Sequence, residues 1–373
     1  MLKRVVFVGQ EPMTRDHIWA PLAHEFELNG WKSVFCKNGT TYGDIGFYCE
    51  DRSVPGNQKF TIITVNGLDQ DHVVRPFYSH WFEKENWGLF DLGILPGNRW
   101  LIGWITRFRS LKNTPRLGVI PVGWFKGDKA VNQQSRPLTK KNVTTVLYAP
   151  QTEQDGKQRV VVEAAHKASL TLKIKHWENE NYTHLFPKLL TPTYMQNLTD
   201  ENNFAKQFGN VEIYPTEENF MDTLSEVDLL ITDQSSVLYE AAMLNIPTLT
   251  CLGWKHACGK CRGPQPSPDI TISVAPEDLS NTLKNIQDIY PKLLHKTKII
   301  RDQNFVNLGN SAEVAFSSII NIYEKAPIRG YANKLYVGHK LFIKKIDMAL
   351  RLWRKKQKAK LFKTTKTNNF EDI

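Results

Sequence analysis

The chain has 373 residues, 41% hydrophobic and 23% charged, which is ordinary for a folded globular protein and enough for two domains with separate cores. No apolar run approaches the roughly 20 residues of a bilayer-crossing helix. The Val5-Val6-Phe7-Val8 run is too short for a secretory leader, so a cytoplasmic protein is expected. The net charge of +10 is concentrated in Lys325–Ile373, where 14 Lys or Arg face 3 Asp or Glu. The body is therefore close to neutral, which argues against a nucleic-acid-gripping surface.

Strand-like and helix-like segments alternate from the start. Arg4 to Val8 reads as a strand, Ile18 to Leu28 as a helix stopped by Asn29-Gly30, and Ser33 to Cys36 as the next strand. Further strands are expected at Phe60 to Val65, Leu92 to Leu95 and Leu117 to Val122. The polar stretch 126–142 breaks the rhythm and reads as a linker. A second series follows, with strands at Val143 to Tyr148, Leu170 to Lys175, Val211 to Tyr214, Asp228 to Thr232 and Pro247 to Leu252, and a helix at Lys157 to Ala168. The expectation is an α/β protein with two Rossmann-like domains, 1–125 and 143–325, facing a cleft, and a basic amphipathic tail, 326–373. No dinucleotide fingerprint or P-loop is present.

The most informative stretch is residues 228–248, an apolar strand ending at Asp233, a polar turn, and a helix expected from about Ser235 to Asn245. Ser235 and Ser236 offer hydroxyls beside helix-end amides, a ready site for phosphate. The plainer use of Asp233 and Ser235 is helix capping. Thr232-Asp233-Gln234-Ser235-Ser236, with Glu240 and Pro247 behind it, resembles the Thr-Asp-Tyr-Ser-Ser segment of the CDP-glycerol glycerophosphotransferases, the teichoic-acid-type polymerases and primases. Tyr148-Ala149-Pro150 is similar to that family's Tyr-Ala-Pro, and Leu172 to His176 to its strand ending in Lys-Pro-His-Pro. Val122-Gly123 through Asp128 resembles its domain-junction segment, and Gly309 to Glu313 its late Gly-x-Ala-Ser-Glu. The likeness spans roughly residues 90 to 320, in the family's order.

The resemblance implies a GT-B fold whose C-terminal domain binds a CDP-activated polyol and passes the polyol phosphate to a hydroxyl of a glycan or lipid-linked acceptor. It places Tyr148, Pro150, Gly123, Asp233, Ser235, Ser236 and Glu240 around the nucleotide and phosphates, with His176 facing the cleft as a catalytic donor. The family's N-terminal His-Gly pair, source of the catalytic base, has Asn66-Gly67 as its counterpart here. Asparagine takes up no proton at neutral pH. His72 or His80 could supply the base. Alternatively, the chemistry is sugar transfer from a UDP- or GDP-sugar with Asp69 or Asp71 as base, or the chain is an inactive binding relative. Arg75 and the aromatics Phe77, Tyr78, Trp81 and Trp87 read either as an acceptor surface or as a small apolar cluster.

Cys251, His256, Cys258 and Cys261 form a compact set of metal-ligand types, closer together than the two separated knuckles of a structural zinc site, so a reduced loop is the preferred reading. No Asp-x-Asp marks a divalent-ion site. Metal dependence, with Mg2+ as the candidate ion, stays open. In the tail, Phe342, Ile346, Ala349, Leu350 and Trp353 recur at helical spacing among Lys and Arg, so 336–362 reads as an anchor to an anionic membrane surface.

Overall fold

The computed structural model describes residues 2–9, 18–37, 39–49, 54–65, 67–68, 87–107, 114–133, 142–150, 153, 156–177, 183, 190–233, 236–251, 253–254 and 271–326. Asn66, Asp69, Asp71, His72, Arg75, His80, Ser235, His256, Cys258, Cys261 and the basic tail lie outside them. The first half holds β1 (Arg4–Val8), α1 (Ala20–Leu28), β2 (Lys32–Cys36), β3 (Gly43–Tyr48), β4 (Gln58–Ile63), β5 (Leu92–Leu95), α2 (Asn98–Arg107), β6 (Val119–Pro121) and α3 (Asp128–Gln133). The second holds β7 (Thr145–Tyr148), α4 (Lys157–Lys167), β8 (Thr171–Ile174), α5 (Pro192–Ala205), β9 (Val211–Ile213), α6 (Phe220–Ser225), β10 (Leu229–Ile231), α7 (Val237–Met243), β11 (Thr248–Cys251) and β12 (Ile272–Val274). Helices α8 (Leu279–Lys284), α9 (Ile286–Asn304) and α10 (Ser311–Lys325) close the described chain.

Two six-stranded sheets result, ordered β2-β1-β3-β4-β5-β6 and β12-β11-β10-β7-β8-β9, with every pairing parallel. Parallel strands are covered on both faces, which is why β5, β10 and β11 are buried throughout instead of alternating. Each sheet is tied at the start of its strands by a buried aspartate. Asp91 accepts from the Thr61 amide and hydroxyl and pairs with Arg116, and Asp228 accepts from the Thr144 and Thr145 amides.

Strand β3 is absent from the sequence expectation although it sits in the middle of its sheet. Its glycines hide it, because close packing rather than apolar periodicity specifies them. A Cβ on Gly43 would meet Val6, and one on Gly46 would meet the Gln58 side chain. Within the 126–142 stretch, Asp128–Gln133 form helix α3. Trp87 is fully buried and tilts against Trp104 with ring centroids 5.1 Å apart, so of its two readings the apolar cluster is the one found.

The segment after β6 locks onto the start of α10. Asp128 Oδ2 accepts the Ala312 amide at 2.8 Å, capping that helix in place of a local residue, and burial raises the Asp128 pKa against this bond. Asn132 donates to the Gly309 carbonyl and Asn307 to the Val122 carbonyl. From this start, α10 runs back onto the first sheet, where Phe316 meets Phe26 edge-on and Tyr323 meets Trp31 and Phe60. Gly123 has φ +105°, and a Cβ there would lie 2.3 Å from Ser311 Oγ. Gly123→Ala should therefore cost about 2 kcal/mol or more. Chemical denaturation of the variant and the parent, compared at equal m-value, measures this.

Candidate functional site

The second sheet reverses its winding between β7 and β10, with β8 and β9 on one side and β11 and β12 on the other. In open parallel sheets that switch point, at the carboxyl ends of the strands, is where ligands bind. Here the Tyr148-Ala149-Pro150 and Thr232-Asp233 segments leave their strands side by side. The Ala149 amide donates to the Ile231 carbonyl at 3.1 Å, and the Thr232 hydroxyl donates to the Ala149 carbonyl at 2.5 Å.

Polar side chains fill the floor of this crevice. Asp233 is fully buried and pairs with Lys157 at 3.0 Å. Lys157 stands in the first turn of α4, where the helix dipole disfavours a cation. Asp233 compensates that cost, and Trp254 lies 6.0 Å away beneath the ammonium. Tyr148 is buried and donates to Glu153 Oε2 at 2.6 Å, while the Gln158 amide donates to the other carboxylate oxygen. Burial raises the Glu153 pKa to about 7.

His176 follows β8 at the strand's carboxyl end, as expected. Its ring is 5% exposed. Nε2 shares a hydrogen bond of 2.7 Å with Gln158, whose amide group in turn donates to Asn202. Burial lowers the His176 pKa to about 4, so the ring is neutral near pH 7. Gly123 sits at the junction, where an added Cβ would meet Ser311 and the Val306 carbonyl.

Helix α7 starts at Val237, two residues later than anticipated, with Ser236 as its N-cap residue making no side-chain capping bond. The first half approaches at this point. A methyl group on Gly67 would sit 4.0 Å from Ser236 Oγ, so the loop after β4 faces the β10–α7 turn. Arg99 lies over the Tyr239 ring at 5.4 Å, Trp100 meets the same ring edge-on, and Lys126 pairs with the largely buried Glu240 at 2.7 Å. Beside the crevice, α4 and α5 border an open groove of about 560 Å³ lined by Glu153, Arg159, Tyr194, Asn197, Asp200 and Glu201, among others.

Cys251 is buried in β11, and burial raises its pKa to about 12, the reverse of a thiolate ligand's environment. Among the described residues, no three His, Cys, Asp or Glu are grouped so as to hold a metal ion. Sequence reading missed Lys157, Glu153, Gln158 and Lys126. Only Lys157 carried a signal, a lysine in the first turn of a helix.

No family model matches the chain, and no curated protein matches it. Solved structures do. A variant of the wall teichoic acid polymerase TagF superposes with a TM-score of 0.59 at 14% identity, covering 87% of this chain and 89% of that one. The same polymerase soaked with CDPG gives 0.58 at 15%, with the same coverage. UDP-GlcNAc 2-epimerase from Neisseria meningitidis, bound to UDP-GlcNAc, gives 0.50 at 11%, covering 86% and 100%. At these identities the likeness is one of fold, and the fold is GT-B.

Removing one partner of the Lys157–Asp233 pair leaves a buried charge behind. Lys157→Met should destabilise by about 3–5 kcal/mol, and adding Asp233→Leu should recover most of it. A double-mutant cycle by denaturant unfolding reads the coupling.

Glu153 and His176 should make opposing contributions to stability against pH. The Glu153 pKa is raised on folding, so its contribution is full below the unfolded value of 4.5 and is lost as pH rises to about 7. The His176 pKa is lowered, so its contribution is present above 6.5 and is lost as pH falls to about 4. Relative to the parent, Glu153→Gln should gain stability from pH 4.5 to 7, and His176→Asn should gain stability as pH falls over 6.5 to 4. Thermal melts across pH 4 to 8 measure both differences.

Proposed function

We propose that this chain is a GT-B transferase that moves a polyol phosphate, of the glycerol- or ribitol-phosphate type, from a CDP-activated donor to a hydroxyl of a surface polymer or lipid-linked glycan. The observation that carries this reading is the approach of the Gly67 loop to Ser236 at the β7/β10 switch point. On this reading the Gly67 loop belongs to the acceptor and the Ser236 turn to the phosphates. The order of the sequence segments and the fold shared with TagF support it.

In this scheme the second half, 143–325, takes the nucleotide and the first, 1–125, presents the acceptor, with 126–142 connecting them. The acceptor oxygen bonds to the phosphorus of the polyol phosphate. The bond from that phosphorus to the bridging oxygen breaks, and CMP leaves. Ser236 and the amides around it hold the phosphates. The hydroxyl proton goes to a base in the loop after Asn66, for which His72 and Asp69 are the candidates. His176, oriented by its bond to Gln158, is the candidate donor to a phosphate or the leaving group. The tail, 336–362, holds the protein at the cytoplasmic face of an anionic membrane. Among the described residues, no helix is long and apolar enough to cross that membrane.

A second reading, sugar transfer from a UDP- or GDP-sugar, is favoured by one observation, the fold shared with an epimerase bound to UDP-GlcNAc. A thermal-shift series with CMP, CDP, UMP, UDP, GDP and ADP separates the two. Stabilisation by the cytidine nucleotides, reduced in Ser236→Ala, is expected. Selective stabilisation by UDP or GDP would replace the donor and keep the fold. Stabilisation equal in Ser236→Ala would remove that serine from the site.

A further inference from the structure

Helix α7 follows directly on Ser236, yet little in the segment itself orients it. Its seven residues make about two turns, too few for a helix held by its own hydrogen bonds. Ser236, at the N-cap position, makes no side-chain capping bond. The direction of the helix is therefore set by what it packs against.

One face of α7 is held by the first half of the chain. Ser236, Tyr239, Glu240 and Met243 stand three or four residues apart and share that side. Tyr239 lies under Arg99 at 5.4 Å and meets the Trp100 ring edge-on at 5.5 Å. Met243 fills the space at Gly127, where an added Cβ would come within 2.1 Å of its Cε. Between them Glu240 is 5% exposed, and its Oε1 accepts from Lys126 Nζ at 2.7 Å.

Of these contacts the ion pair has the sharpest geometry. Ring packing tolerates a small rotation of the helix, whereas a charge-assisted hydrogen bond constrains both distance and angle. A shift of α7 that broke the pair would leave a buried carboxylate without its cation. Lys126 is itself well anchored, between the buried Phe125 and Gly127 and two residues before Asp128, which caps α10. By contrast, Lys129 pairs with Asp222 at 3.1 Å in largely exposed positions, where an ion pair counts for little.

We propose that Lys126 is a positioning residue for the Ser236 turn, acting across the two halves through Glu240. It fixes α7 so that Ser236 stays opposite the Gly67 loop, where a methyl group on the glycine would sit 4.0 Å from Ser236 Oγ. The turn that holds the phosphates in one half thus takes its place from the other. That consequence rests on the proposed transferase reading, whereas the positioning of α7 does not.

Two measurements on the full chain test this. Hydrogen exchange reads α7 without a ligand. Lys126→Met should speed exchange of the amides of 237–243 about tenfold or more, with β7 and β10 protected as in the parent. Lys126→Arg, which keeps the charge, should restore the parent's rates, and Lys129→Met should leave them unchanged. Thermal melts establish that each variant is folded. Should Lys126→Met not fold, Glu240→Gln, which keeps the shape and leaves no buried charge, carries the same comparison. Unchanged exchange over 237–243 overturns the proposal, as does equal loosening in Lys129→Met. In a titration with CMP, affinity should fall about tenfold in Lys126→Met and return in Lys126→Arg. Parental affinity in a variant whose α7 has loosened would make Lys126 a support of the helix alone and overturn the proposal too. A parent that binds none of the nucleotides would instead remove the transferase reading, and the exchange comparison would still decide what holds α7.

Discussion

The structure depends on the return of its last described helix. A six-stranded parallel sheet needs cover on both faces, and α10 supplies part of it to the first sheet through Phe316 and Tyr323. That helix begins against the segment after β6, where Asp128 caps it and Gly123 leaves just enough room for Ser311. Both ends of the second half are therefore fastened at one place. Substitution there acts on both halves at once, because the cap, the tight glycine and the returning helix share a single contact region.

With the junction fixed, the crevice is lined by groups already paired. Lys157 with Asp233, Lys126 with Glu240, and Tyr148 with Glu153 each satisfy a buried polar atom that would otherwise be costly. Such a floor resists rearrangement. It also accounts for the neutral His176. Burial beside Gln158 penalises a charged imidazole, which keeps the ring neutral.

Much of the architecture was legible in the sequence. The apolar runs of β1 and β5 and the Asn29-Gly30 stop fall where local pattern placed them, because parallel strands buried on both faces write continuous apolar runs. The motif order also placed the Tyr148 and Asp233 segments near one another, since both end strands at a switch point. Other features were decided only in three dimensions. Lys157 finds Asp233 across 76 residues, and Asp128 finds Ala312 across 184, separations that no periodicity records. Strand β3 is written in glycines chosen for their neighbours' side chains, and His176 faces α4 because Gln158 offers it a partner there. Local pattern reports how a segment meets water. Which buried polar group answers which is set by the packing of distant elements, and that packing exists only once the sheets have formed.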